Sequence, residues 1–182
     1  MDKKIDPQHL DVLACARDAV HLQGESGLAQ WPRLAFEQHG NTPAAGAVVW
    51  QLAGRTVAQS GGADQICLDL RASVQLPMQC QRCLTPVLET VEAERSFRFV
   101  ADEATAAALD DEAEEDILVI SRDFDALALV EDELILSLPL VPLHEVCPEA
   151  VPMSAVDPAF EAAAERPNPF GVLAGLKTNP NK

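Results

Sequence analysis

The clearest pattern in the chain has a period of two. Ile66, Leu68, Leu70, Ala72, Val74 and Leu76 alternate with Gln65, Cys67, Asp69, Arg71, Ser73 and Gln75. Successive side chains of a strand point to opposite faces, so this stretch predicts a strand with one apolar and one polar face. Val48, Trp50 and Leu52 show the same alternation upstream, against Val49, Gln51 and Ala53. Downstream, Val91, Ala93, Arg95, Phe97 and Phe99 alternate with Glu92, Glu94, Ser96 and Arg98. A sheet with one wet face is the mark of antiparallel pairing. Residues 77–86 read as the turn between the second and third strands, and Ile117–Ile120 as a further short strand.

Helical spacing is weaker. Leu10, Leu13, Ala14 and Arg17 predict a helix over 7–20 that starts at Asp6-Pro7. Residues 21–27 read as a turn, and 28–38 as a second helix with Pro32 in its first turn. Gly40-Asn41-Thr42-Pro43 is a breaker cluster. Leu127, Val130, Leu134 and Leu138 share one face of a helix over 125–138, which Pro139 and Pro142 end. On that helix Glu131, Asp132 and Glu133 read as a solvated side. The expected fold is α+β: an antiparallel sheet of about four or five strands with two or three packed helices. Its parts are a helical lead-in over 1–40, a main α+β domain over 41–147 and an extended tail over 148–182. No internal repeat is visible.

Charge changes this picture more than size does. The chain has 182 residues, with 13 Lys and Arg against 29 Asp and Glu, a net charge of −16. Affinity for phosphate backbones comes mainly from bases that release counterions, so clamping of bulk RNA is not expected. The same balance disfavours anionic membranes. Aromatic residues are 4% and Tyr is absent, which leaves no row of platforms for stacking bases. Residues 101–116 hold eight acids and no base, and read as a solvated, mobile acidic loop. The first ten residues carry no apolar stretch behind their lysines, and no apolar run approaches the ~18 residues of a spanning helix. Together with five cysteines, an odd number, these features predict a protein of a reducing cytoplasm without disulfides.

Candidate chemistry concentrates in Cys80-Gln-Arg-Cys83, within the turn between two strands. A tight turn aims both sulfurs at one point, which is half of a tetrahedral zinc site. His144 and Cys147, spaced H-x-x-C after the long helix, are the candidates for the other half. Zinc is the only cofactor this chain suggests, and ordinary thiols are the competing reading. A thioredoxin-like role does not fit, because the pair does not open a helix. Cys15 and Cys67 read as packing residues, and His21 and His39 as loop residues without a partner. No phosphate loop, nucleophile elbow or metalloprotease helix is present. Nothing here builds an active site.

Three blocks resemble a known family: Cys80-Gln-Arg-Cys83-Leu, the run from Val130 through Glu-Asp-Glu-Leu-Ile-Leu-Ser-Leu-Pro139 to His144, and Arg166-Pro-Asn-Pro-Phe170 continuing to Lys177. In order, interval and total length they are similar to the bacterial YceD family, the large ribosomal RNA subunit accumulation proteins. The resemblance spans about residues 5–178 and is strongest after residue 64. It implies a non-enzymatic ribosome biogenesis factor needed for the synthesis, processing or stability of large-subunit 23S rRNA. Some relatives carry a second cysteine pair at the place of His144 and Cys147. With a charge of −16, a basic ribosomal or rRNA-processing protein is the expected partner, and direct rRNA contact is expected to be weak. The terminal block has two prolines and no acid. It predicts a docking peptide whose partner-binding residues are Arg166, Pro167, Asn168, Pro169, Phe170, Leu173 and Lys177. Two other classes stay open: an RNA-processing enzyme using the acids, and a structural zinc-ribbon interaction module.

Overall fold

The computed structural model describes residues 5–40, 46–109, 113, 115–149, 155, 157, 170 and 171. The chain divides into two compact units, Met1–Cys147 and Pro148–Lys182. The sheet, its helices and the cysteines belong to the first. In chain order the elements are α1 (Val12–Arg17), β1 (His21–Ser26), a 3-10 turn (Leu28–Gln30), α2 (Pro32–Phe36), β2 (Val48–Val57), β3 (Gln65–Gln79), β4 (Pro86–Val100), α3 (Glu103–Leu109), β5 (Asp116–Val119) and α4 (Ala126–Leu136). The five strands lie in sequence order in one sheet. β1 to β4 pair antiparallel, and β5 joins β4 in parallel after the crossover that parallel pairing requires. The expected α+β architecture is therefore present.

The alternation in β2, β3 and β4 sorts the two faces as expected. Val48, Trp50, Leu52, Leu68, Leu70, Ala72, Val74, Val91, Ala93 and Phe97 are buried. Onto them pack α1, against β2 and β3, and α4, against β3 and β4, while α2 leans on α4. Burying each such leucine contributes about 1.5–3 kcal/mol. Phe99 and Phe124 meet edge to face at 5.4 Å. The other face is wet. There Arg55 Nε donates to Asp69 at 2.7 Å, Ser96 Oγ donates to the same carboxylate at 2.7 Å, and Arg71 pairs with Glu94 at 2.6 Å. Burial pushes the Asp69 carboxyl up, but the bonds from Arg55 and Ser96 outweigh it and hold the group below the usual range.

Several expectations need correction. Residues 21–27 are not simply a turn, because His21–Ser26 forms the edge strand β1. Its residues alternate only between exposed and half-buried, so its sequence carries no apolar alternation. Gly24 is needed there because a Cβ would sit 2.6 Å from the Trp50 ring. The helix expected over 7–20 shrinks to Val12–Arg17, because Leu10 leaves it to exchange backbone hydrogen bonds with Phe124. The helix expected over 28–38 splits into a 3-10 turn and α2 at Trp31-Pro32. The turn expected over 77–86 is narrower, with β3 reaching Gln79 and β4 starting at Pro86. Within the acidic stretch, Glu103–Leu109 is helical. Four alanines favour that state, and the Asp102 carboxylate accepts from Thr105 N at 2.8 Å.

The largest departure concerns α4. Glu131 and Glu133 are each only 6% exposed, so neither lies on a solvated side. Trp31, at the N-cap of α2, offers no side-chain cap, and Glu131 of α4 takes over that task. Its Oε1 accepts from Arg33 N at 2.8 Å and Leu34 N at 3.1 Å, and its Oε2 from Arg33 Nε at 3.0 Å. Asp132 also pairs with Arg33. Glu133 accepts from Arg95 Nε at 3.3 Å. Burial pushes the Glu133 carboxyl up from 4.5, and Arg95 offsets this only partly.

A raised carboxyl binds its proton more tightly in the folded than in the unfolded chain. Its contribution is therefore complete below pH ~4.5 and lost as pH rises through the folded value. Glu133→Gln, which imitates the protonated form, is expected to melt higher than the parent at pH 7–8. The gap should close toward pH 4, and melting curves across pH 4–8 measure it. A parent that melts higher at pH 8 would contradict the direction.

Candidate metal centre

β3 and β4 are each 15 residues long and carry their connecting turn far from the centre of the sheet. The turn closes on itself. Cys80 N donates to Thr85 O at 3.0 Å, and Leu84 N to Cys80 O at 2.9 Å. Leu84 takes a left-handed φ of 61°, which reverses the chain just after Cys83. Backbone N–H groups of Arg82 and Cys83 then point at Cys80 Sγ.

The second half arrives from α4. Pro139 and Pro142 prevent the helix from continuing and direct residues 139–147 back to the turn. Gln81 N donates to Pro142 O at 2.9 Å and ties the two segments together. His144 and Cys147 thereby reach the cysteine pair. One ligand atom from each of Cys80, Cys83, His144 and Cys147 lies within 4.8 Å of all the others. The four residues singled out in the sequence are thus brought together, Cys80 fully buried and the other three half-buried.

The set fits zinc in chemistry and in size. Three sulfurs and one imidazole match a structural site, whose tetrahedral edges are about 3.5–3.8 Å for bonds of ~2.3 Å to sulfur and ~2.0 Å to nitrogen. Cys83 Sγ stands 3.4 Å from His144 Nδ1. His144 Nε2 is 3.0 Å from Pro86 O, which accepts only from an N–H. That bond puts a proton on Nε2 and turns Nδ1 toward the sulfurs, the orientation of a histidine ligand. Hydrogen bonds to Cys80 and Cys83 raise the imidazole above its ordinary value, so a metal ion would displace a proton there.

The electrostatics agree. Burial pushes the Cys80 thiol up, but backbone N–H groups of Cys83, His144 and Arg82 outweigh it and bring the thiol down to about 5. Thr85, whose Oγ1 lies 3.1 Å from Cys83 Sγ, lowers Cys83. Cys147 is raised by burial and by the neighbouring sulfurs. Cys80 and Cys83 are thus the sulfurs most ready to meet a divalent cation, and Cys147 would shed its proton on binding one. It could hold a metal ion.

Cys15 and Cys67 are buried, as expected of packing residues. His21 lies on β1, and His39 N donates to Pro77 O beside the start of the turn. Of the expected docking residues, Arg166, Pro167, Asn168, Pro169, Leu173 and Lys177 lie outside the described residues, while Phe170 is exposed. Thr85 and the Pro86 carbonyl are supporting groups that spacing did not reveal.

A family model described as large ribosomal RNA subunit accumulation protein YceD matches residues 68–177, more than half of the chain. The chain belongs to the YceD family. All four clustered residues fall inside the matched segment. A curated relative from Haemophilus influenzae, the large ribosomal RNA subunit accumulation protein YceD, is 38% identical over 111 residues. That alignment covers 59% of this chain and 63% of the relative, so the chain spans rather less than two thirds of the YceD protein it matches. No solved structure matches. Among the described residues, no helix is long and apolar enough to cross a membrane.

Proposed function

We propose that this YceD family member is a non-enzymatic, cytoplasmic factor for the accumulation of large-subunit 23S rRNA, and that Cys80, Cys83, His144 and Cys147 hold a structural zinc ion in it. The observation that carries the first part is the family match over residues 68–177. The four-residue cluster carries the second. The zinc would supply no reaction. With all four positions taken by protein there is no open place for water or substrate. Its work is to clip the loop after α4 to the β3–β4 turn.

The distribution of bases favours a protein partner over an RNA clamp. Arg33, Arg55, Arg71 and Arg95 each hold a carboxylate. Arg17, Arg82, Arg98 and Arg122, the described bases outside those pairs, lie on separate segments. A basic ribosomal or rRNA-processing protein suits a chain of −16 better than a polyanion does. The segment with Arg166, Pro167, Asn168, Pro169, Phe170, Leu173 and Lys177 remains part of this proposal as a docking peptide, on its sequence alone. In cells from which the gene is deleted, the ratio of large- to small-subunit rRNA is expected to fall. An unchanged ratio in fast growth and in the cold would count against the reading.

A further inference from the structure

Among the described residues, eleven large hydrophobic side chains stand exposed, and seven of these sit on the segments that meet near the cysteine cluster. Phe36 ends α2, Leu84 sits in the β3–β4 turn, Leu136 closes α4, and Leu140, Val141, Leu143 and Val146 belong to the loop behind it. Single exposed hydrophobics are ordinary, but a gathering of this kind marks an interaction site. Part of it is a groove of about 510 Å³, whose lining includes Glu37, Met78, Gln81, Leu136, Leu140 and Pro142. Leu136 is 73% and Leu140 99% exposed there. Two prolines and the Gln81–Pro142 hydrogen bond fix the loop, so the groove exists before anything binds.

Charge decides the occupant. Glu37 is the charged residue of the groove lining. Glu145 is exposed on the loop that follows Pro142, and Arg33, one turn before Glu37 on α2, is held by Glu131 and Asp132. A nucleic acid finds no base in the lining to neutralise its phosphates. A second copy docked by two-fold symmetry would bring the same acidic groove against itself, and like charges so placed are unfavourable.

We propose that this groove docks an apolar segment of a basic protein, with aliphatic or aromatic side chains on Leu136 and Leu140 and a Lys or Arg against Glu37. The class of partner rests on the ribosome-biogenesis reading; the groove itself does not.

The probe is the mixture of ribosomal proteins extracted from purified large subunits and freed of RNA, passed over the immobilised full chain. The full chain is expected to retain one or more of these basic proteins. Leu136→Ser with Leu140→Ser should retain them about tenfold more weakly, because a few central side chains dominate such interfaces. Glu37→Lys should weaken retention most at low salt. Val49→Ser, on the exposed wet face, should change nothing. All the altered positions are exposed, so melting temperatures should match the parent. Equal retention by the double variant overturns the proposal, as does no retention by the parent. A concentration-dependent dimer of the parent that the double variant abolishes also overturns it, since the groove would then serve self-association. In deletion cells the two readings separate. A parent chain that fails to restore the rRNA ratio contradicts the ribosome reading, whatever the groove retains in vitro. A parent and double variant that restore it equally contradict the groove alone.

Discussion

Cys83→Ser is expected to lower the zinc content of the purified chain from about one per molecule to near zero. Serine offers no thiolate, and three ligands without the fourth do not close a structural tetrahedron. The consequences should be local. The hydrophobic core cluster, from Leu52 through Leu70 to Phe97, includes none of the four clustered residues. Far-UV circular dichroism should therefore be retained. The amide of Gln81, held by Pro142 O, and that of Leu84, held by Cys80 O, should exchange with deuterium much faster. A strong chelator should reproduce the effect in the parent and expose Cys80, Cys83 and Cys147 to a thiol reagent, while the buried Cys15 and Cys67 stay slow. A variant that keeps one zinc per chain would show that Cys83 is not a ligand.

Glu131→Ala should give a large loss of stability. The carboxylate accepts from two backbone N–H groups of α2 and from the Arg33 guanidinium. Removing it leaves Leu34 N buried without its acceptor, while Arg33 keeps Asp132. The loss of a cap and an unsatisfied buried donor together cost about 2 kcal/mol. For a chain of this size that lowers the melting temperature by roughly 4–8 °C. Glu131→Gln keeps one acceptor oxygen and should recover much of the loss. Asp132→Ala, at a half-exposed pair, should cost far less. Equal melting of Glu131→Ala and the parent would mean that α2 holds its position without the cap.

What the sequence made legible follows from how local each signal is. β2, β3 and β4 bury one face only, so their alternation spells out both the strands and the inward set. The members of the four-residue cluster were also readable, because Cys80-x-x-Cys83 and His144-x-x-Cys147 each carry short-range spacing. That the two halves meet depends on where α4 deposits its loop, which no local pattern contains. β1 was missed because an edge strand with Gly24 under the Trp50 ring has little apolar content to alternate. Glu131 and Glu133 were misjudged for a related reason. An acid triplet on a helix looks solvated until α2 and Arg95 are brought against it. The groove at Leu136 and Leu140 left no periodic trace, since its lining comes from three separate stretches of chain.

The most direct measurement is the ratio of 23S to 16S rRNA in cells that lack the chain and receive either the parent or Cys83→Ser at equal protein levels. A zinc-clipped accumulation factor predicts that the parent restores the ratio and that Cys83→Ser leaves it low. Restoration by both would contradict the zinc clip as the working part, and restoration by neither would contradict the role in large-subunit rRNA accumulation itself.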